Sequence, residues 1–196
     1  MQSWITRARH MLLQQGKWLK VENHEVGLPN GQVIPDWAWV ITPDFVNVAA
    51  LTAEGKFLCF RQVKYAVDGP TLAPCGGYLE PGEDPLAGAQ RELREETGYE
   101  ADSWTAFGKF AIDGNRGCGN GHLFLARAAR KVSAIDRDDL EEMHMLMLTP
   151  DEVRAALLRG DFKVATWSQT MALALLALET QPGRERANAI SAQPQR

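Results

Sequence analysis

The sequence predicts an α+β or α/β sandwich, in which a mixed sheet is combined with a few helices. Short apolar stretches bounded by turn residues, such as "FVNVAALT" at 45–52, are typical of strands. Helix signals interrupt these stretches at 84–97 and at 165–179, where "ATWSQTMALALLALE" is strongly apolar. Strands mixed with helices in this way indicate a sandwich.

Length and composition are those of an ordinary globular protein. The chain has 196 residues, of which 45% are hydrophobic and 23% charged, and this length favours one substantial domain. The formal net charge is −4, so no overall positive field favours DNA or RNA. We therefore do not expect a nucleic-acid partner.

The cysteines and the apolar segments indicate where the protein works. Cys59, Cys75 and Cys118 are odd in number and lack the spacing of metal ligands, which predicts a reducing, cytoplasmic setting. No apolar run approaches the roughly 18 residues of a membrane span. The first residues, "MQSWITRARHMLLQQGKW", do not resemble a signal peptide, because charges interrupt the apolar stretch and no A-x-A-like site follows.

Residues 1–44 are predicted to form a small N-terminal β piece, a possible dimerisation element. A short helix is expected at 3–14, followed by two or three strands in 17–43 around the turn signal "LPNG". Residues 181–196 are polar and aperiodic, which predicts a flexible tail.

The main domain is expected to span 45–180. Its predicted strands cover residues 45–52, 56–62, 103–112, 121–132 and 142–149. A glycine-rich loop, "DGNRGCGNG" at 113–121, separates two of them. Thr149 is the expected N-cap of a helix whose first position is Pro150.

The helix at 84–97 carries the strongest local signals. Pro81-Gly82 suits a type II turn, with glycine supplying the positive φ. Asp84 is a good N-cap, and Pro85 belongs at the first helical position, where no N–H is needed. Gly98 is placed to end the helix in a left-handed conformation.

Three glutamates of this helix, Glu92, Glu95 and Glu96, fan over an arc of about 100°. Like charges at this spacing repel, and Arg91 precedes Glu95 in the less favourable order for an ion pair. A solvated acidic face is the simplest interpretation of an acidic helix. The fixed glycine turns before this helix favour a divalent cation instead, and carboxylates suit Mg²⁺ or Mn²⁺ better than zinc.

The segment "GGYLEPGEDPLAGAQRELREETGY" at 76–99 resembles the Nudix box, G-x5-E-x7-R-E-U-x-E-E-x-G-U, where U is bulky and apolar or aromatic. Every specified position is filled, by Gly77, Glu83, Arg91, Glu92, Leu93, Glu95, Glu96, Gly98 and Tyr99. The resemblance implies an α/β/α sandwich with a mixed sheet over about 45–180. It also implies hydrolysis of a nucleoside diphosphate linked to another moiety.

The same resemblance implies roles for particular residues. Glu92, Glu95 and Glu96 would hold the metal together with the Gly76 carbonyl oxygen, and Glu95, Glu96 and Arg91 would be catalytic. Arg91 would pair with Glu83 or Glu95 and orient the carboxylates. Gly77, Glu83 and Gly98 would shape the box.

The general base is expected in the acidic loop "DRDDLEEMHM" at 136–145. Its candidates are Asp138, Asp139, Glu141 and Glu142, among which Glu141 is preferred to Glu142. A solvated acidic loop is the alternative for each of them, because proton transfer depends on geometry that a sequence does not give.

Features outside the box resemble the ADP-ribose pyrophosphatase branch of the family. "FLCFRQVKYAV" carries Arg61 and Lys64 as candidate substrate-binding residues. Trp37 and Trp39 share one strand face and are candidates for stacking an adenine, with core or interface packing as the alternative. Arg116, in the glycine-rich loop, is a candidate phosphate partner, although that loop has no proline and no acidic residue after Asp113, unlike the loop usual in this branch.

We therefore expect a Mg²⁺-dependent hydrolase of ADP-ribose or a related nucleoside diphosphate sugar, which acts as a homodimer. One alternative is a hydrolase of damaged nucleoside triphosphates or of capped RNA. Another is a binding module that senses a nucleotide without cleaving it. An intact set of three glutamates argues against the second alternative.

Overall fold

The computed structural model describes residues 1–135 and 143–180. In these residues the chain forms ten strands and three helices. The strands are β1 (Ile5–Gln15), β2 (Leu19–Gly27), β3 (Val33–Ile41), β4 (Phe45–Thr52), β5 (Phe57–Val63), β6 (Pro70–Ala73), β7 (Tyr99–Glu100), β8 (Ser103–Asp113), β9 (Gly117–Lys131) and β10 (His144–Leu148). The helices are α1 (Pro85–Thr97), α2 (Pro150–Arg159) and α3 (Ala165–Glu179).

The strands form one mixed sheet in the order β1-β2-β3-β9-β4-β5-β10. The central pair, β4 and β9, is parallel, whereas β5 is antiparallel to both β4 and β10. The N-terminal strands join this sheet through one parallel position, Val40 with Gly117. The sheet is therefore continuous from the N-terminal strands to β10.

Helices cover both faces of the sheet. Val46, Val48 and Ala50 of β4 lie in one buried cluster with Ala89 and Leu93 of α1. On the opposite face, Ala49 lies in a second cluster, whose helical members Val153, Ala156, Met171, Ala174 and Leu175 come from α2 and α3. The alternation along β4 follows from the two-residue period of a strand. The predicted α+β sandwich is confirmed.

The helix expected at 3–14 is wrong, because these residues form β1. Strand β1 pairs with β2 from Ile5–Gly27 to Gln15–Leu19, with two irregularities in register. Gly16 turns the chain between the two strands with a φ of 54°. Helix propensity is a weak preference that pairing with a neighbouring strand overrides.

Most other predicted elements are confirmed within a residue or two, namely the strands at 45–52, 56–62, 103–112 and 142–149 and all three later helices. The chain between residues 17 and 43 forms two strands, joined by the predicted "LPNG" turn. The glycine-rich loop is shorter than expected, because β9 begins at Gly117. Strands β6 and β7 are too short to have been expected.

No helix in the described residues is long and apolar enough to span a membrane. The tail predicted at 181–196 lies outside the described residues.

Candidate active site

Two glycines bring the backbone of the box against the central strand. Val46 N donates to the Gly77 carbonyl oxygen at 2.9 Å, and Val48 N donates to that of Cys75 at 2.8 Å. Gly76 has a φ of 154°, and a Cβ there would lie 2.2 Å from the Val46 carbonyl oxygen. Only glycine permits this approach.

Helix α1 begins and ends as its sequence predicts. Asp84 Oδ1 accepts hydrogen bonds from the backbone N–H groups of Leu86, at 3.0 Å, and Ala87, at 3.1 Å. Gly98 closes the helix with a φ of 74°, and its N–H donates to the Arg94 carbonyl oxygen. These caps determine where the helix begins and ends, and the burial of Ala89 and Leu93 against β4 determines which glutamates face inward.

Arg91 is the positive partner of the box carboxylates. Its Nη1 donates to Glu92 Oε1 at 2.9 Å and to Glu95 Oε2 at 3.0 Å. Its Nε and Nη2 donate to the two oxygens of Glu83 at 2.9 and 3.0 Å. The hydrogen bonds from Arg91 lower the pKa of Glu83 to about 2. The implied pairing of Arg91 with Glu83 or Glu95 is thus observed with both, and with Glu92 as well.

Glu92 and Glu96 line a cavity of about 710 Å³ together with Gly76 and Gly77. Glu96 Oε2 accepts a hydrogen bond from the Gly76 N–H at 2.9 Å. Burial raises the pKa of Glu92, and its contacts with Arg91 counteract only part of that rise. A raised pKa in a carboxylate beside a cavity indicates a place where a positive charge would be stabilised.

The carboxylate oxygens of Glu92 and Glu96, on the side of the cavity formed by the box, are the kind of ligand that a hard divalent cation prefers. A Cβ added to Gly77 would lie 2.4 Å from Glu92 Oε1, so the bare backbone leaves room for this carboxylate. The side chain of Glu95 is 49% exposed and is held by Arg91. In the described part of the chain, no three acidic, histidine or cysteine side chains are gathered closely enough to hold an ion. Glu95 would have to leave Arg91 to join the other two.

Comparison with known proteins decides the family. The NUDIX domain model matches residues 42–168, which include the whole box and its cavity. The chain belongs to the Nudix family.

Two relatives and one solved structure agree with this assignment. The Nudix chain is 34% identical over 138 residues to the methanol dehydrogenase activator of Bacillus methanolicus, covering 70% of this chain and 74% of that protein. It is 32% identical over 131 residues to the ADP-ribose pyrophosphatase of Bacillus subtilis strain 168, covering 65% of this chain and 70% of that protein. A crystal structure of an ADP compounds hydrolase shares the fold, with a TM-score of 0.76 at 18% identity, over 93% of this chain and 97% of the other.

This Nudix chain is therefore a pyrophosphatase-type hydrolase of nucleoside diphosphate derivatives. Nudix hydrolases generally need divalent cations, which agrees with the donor chemistry of the box wall.

The candidate substrate residues on β5 and after it lie in different cavities of this Nudix domain. Lys64 lines the cavity of the box, as does Gln62, whose Oε1 is buried without a hydrogen-bond partner in the described residues. Arg61 lines a separate cavity of about 290 Å³ beside α2. The two-residue period of the strand sends Arg61 and Gln62 to opposite faces.

Trp37, Trp39 and Arg116 come together beside the N-terminal strands. The guanidinium carbon of Arg116 lies 4.7 Å from the centroid of the Trp37 ring. Trp39 stacks on His24 with ring centroids 5.4 Å apart. Both tryptophans line a cavity of about 310 Å³ that shares no lining residue with the cavity of the Nudix box. Whether they bind substrate stays a prediction.

The candidate bases Asp138, Asp139, Glu141 and Glu142 lie outside the described residues. Conversely, sequence reasoning missed several residues that line the Nudix cavity, including Asn47, Tyr78 and Thr166. Asn47 had a visible signal, because it is the single polar residue within the apolar run "FVNVAAL". Tyr78 and Thr166 carry no comparable signal.

Proposed function

We propose that this protein hydrolyses the diphosphate linkage of ADP-ribose or a related nucleoside diphosphate sugar with Mg²⁺. The products would be a nucleoside monophosphate and a sugar phosphate. The observation that carries the proposal is the filled box whose Glu92 and Glu96 line a cavity of about 710 Å³. A cavity of this size suits a nucleotide-sized ligand.

The chain's own residues account for binding and orientation. Glu92, Glu95 and Glu96, with the Gly76 carbonyl oxygen, would hold Mg²⁺, or Mn²⁺ in its place. When bound, such a cation neutralises charge on the diphosphate oxygens and lowers the pKa of a bound water. Arg91 keeps the carboxylates in position, and Lys64 supplies positive charge to the same cavity.

Likeness to the Bacillus subtilis ADP-ribose pyrophosphatase, at 32% identity, supports ADP-ribose as the first substrate to test. The glycine-rich loop lacks the proline of that branch, so other nucleoside diphosphate sugars belong in the same test. Glu141, followed by Glu142, remains our candidate for the general base.

We also infer a homodimer formed through the N-terminal strands. Several large apolar side chains of β1 and the adjoining turn are at least half exposed in the single chain, namely Ile5, Met11, Leu12, Leu13 and Trp18. Exposed apolar side chains gathered on one element are typical of an interface. None of the three cysteines forms a disulfide, which supports the reducing, cytoplasmic setting.

The test is a substrate panel with Mg²⁺ and identification of the products. It includes ADP-ribose and other nucleoside diphosphate sugars, oxidised nucleoside triphosphates and capped RNA. Turnover of a nucleotide sugar to a monophosphate and a sugar phosphate supports the proposal. Preference for triphosphates or capped RNA would instead favour the first alternative, and binding without turnover would favour a sensing module.

A variant separates catalysis from binding. Replacing both Glu95 and Glu96 with Gln removes two carboxylates but leaves side chains of the same size, so turnover should cease while the thermal unfolding curve is retained. An active double variant would overturn the metal assignment.

A further inference from the structure

Helix α3 begins in a way that leaves backbone donors free. Its N-cap residue is Val164, which has no side chain able to cap the helix. The N–H groups of Ala165 and Thr166 find no acceptor in the part of the chain that the structure describes. In contrast, Asp84 and Thr149 cap α1 and α2 with side-chain oxygens. An uncapped helix start presents free donors and a partial positive charge.

A second, independent donor lies in the cavity that Val164 and Thr166 line. Asn47 is only 3% exposed, and its Nδ2 has no hydrogen-bond partner in the described residues. It lines the box cavity together with Val164 and Thr166. A buried amide donor without an acceptor is costly for the folded protein unless a ligand supplies the acceptor.

Asn47 lies close to the backbone that holds the carboxylates of the box. A Cβ on Gly76 would lie 3.0 Å from Asn47 Oδ1, and the Gly76 N–H donates to Glu96. The lining of the cavity therefore combines Asn47 and the start of α3 with the acidic side chains Glu92 and Glu96 of α1. Gln62 Oε1, an acceptor, suits a hydroxyl group rather than an anion.

We propose that the start of α3 and Asn47 form a site for a phosphoryl group, next to the metal-binding wall. The proposal rests on the proposed function, because it assigns one phosphoryl group of the bound diphosphate to Ala165 N–H, Thr166 N–H and Asn47 Nδ2. Free N–H groups at a helix start bind phosphate through hydrogen bonds and the helix dipole. The other phosphoryl group would then lie toward Glu92 and Glu96.

Inorganic phosphate is the probe, because it requires neither a metal nor turnover. The full-length, ¹⁵N-labelled protein is titrated with phosphate in EDTA and followed by NMR. We expect saturable shifts at the amides of Ala165 and Thr166 and at the side-chain amide of Asn47. The capped amides of Leu86 and Glu152 are internal controls and should not move. Shifts elsewhere only, or none at all, would overturn the proposal, whatever the substrate panel shows.

Ala165→Pro removes one of the proposed donors and keeps the helix. Proline is favoured at the first helical position, and Pro85 and Pro150 already occupy it in α1 and α2. This variant should bind phosphate several-fold more weakly without melting at a lower temperature. Unchanged phosphate binding would contradict the assignment of the Ala165 N–H.

Asn47→Leu removes the second donor at nearly constant volume. Because a hydrogen bond to a charged group is lost, KM for the nucleotide sugar should rise about tenfold with little change in kcat. The melting temperature should be equal or higher, since Asn47 Nδ2 has no hydrogen-bond partner to lose among the described residues. Asn47→Asp, which adds a negative charge, should raise KM further.

Asn120→Leu is the matched control. The Asn120 side chain donates to Asp44 at 2.9 Å, outside the cavity. This variant should lower the melting temperature and leave KM unchanged. If Asn47→Leu behaves like Asn120→Leu, the role of Asn47 is structural and the site is disproved. If no nucleotide sugar is cleaved but phosphate moves the named amides, the proposed function fails and the phosphoryl site stands.

Discussion

Arg91 and Glu83 form a bidentate ion pair, in which Nε donates to Oε1 at 2.9 Å and Nη2 donates to Oε2 at 3.0 Å. This pair ties helix α1 to the turn that precedes it. The remaining nitrogen of Arg91 holds Glu92 and Glu95. One cation therefore offsets the repulsion among three carboxylates and determines their positions.

Arg91→Lys should lower kcat by about 10- to 100-fold, because an ammonium group cannot make the paired hydrogen bonds that orient the carboxylates. The charge is kept, so loss of activity would reflect geometry. Steady-state kinetics at saturating Mg²⁺ measure the effect. Arg94→Lys is the control, because the Arg94 side chain forms a salt bridge with Glu100 and not with a box carboxylate in the described residues. Equal activities of the two variants would argue against the positioning role of Arg91.

Glu83→Gln should destabilise the metal-free protein by about 2 kcal/mol at neutral pH, the scale of hydrogen bonds to a charged group. The pKa of Glu83 is lowered from 4.5 to about 2. A lowered pKa contributes stability that is present above pH 4.5 and is lost as the pH falls toward 2.

Urea unfolding of both proteins in EDTA, from pH 7 to pH 2, measures this difference. The difference in the free energy of unfolding between the native protein and Glu83→Gln should shrink as the pH falls from 4.5 toward 2. A gap that stays constant over the whole range would show that the ionisation of Glu83 does not cause it.

Gly77→Ala should reduce Mg²⁺ binding by tenfold or more, because the new methyl group would lie about 2.4 Å from Glu92 Oε1 and displace that carboxylate. Gly114→Ala is the matched control, since its Cβ would meet nothing within 4 Å and its φ is not positive. Isothermal titration with Mg²⁺ compares the two variants. Similar affinities would contradict a role for this close approach.

Glu96→Gln should weaken Mg²⁺ and Mn²⁺ binding about tenfold or more while the fold is kept, because the glutamine oxygen can still accept the hydrogen bond of the Gly76 N–H. Glu100→Gln is the control, since Glu100 pairs with Arg94 outside the cavity. Calorimetry at pH 7 measures both. If the two variants bind metal equally well, Glu96 is not a ligand.

Light scattering should give twice the chain mass of 21.7 kDa. Leu12→Lys, on β1, should shift the protein toward the monomer, because it places a charge in the proposed apolar interface. Leu158→Lys is the control, since Leu158 is 84% exposed on α2, which packs beside β10 at the opposite end of the strand order from β1. A monomeric native protein would exclude the dimer.

Local signals made the box predictable. Asp84, Pro85 and Gly98 fix the two ends of α1 through contacts within a few residues, and the structure confirms each of them. The N-terminal hairpin was not predictable in this way. Strand β1 depends on pairing with β2, and its exposed side chains leave no apolar period in the sequence.

In the site, too, local sequence predicted some features, while others depended on how distant parts of the chain pack together. The sequence placed Glu92, Glu95 and Glu96 on one arc, but only Glu92 and Glu96 line the cavity, while Arg91 holds Glu95 at the surface. Gln62 lines the cavity of the box and Arg61 does not, because neighbouring residues of a strand face opposite sides of the sheet.

By itself, the sequence determined the family, the helix that carries the glutamates and the class of sandwich, because these depend on spacing and capping along a short stretch of chain. Only the tertiary structure decided which side chains share a cavity. Asn47 and the start of α3 are more than 100 residues apart in the sequence. They line one cavity because α3 packs on the face of the sheet to which β4 contributes Ala49.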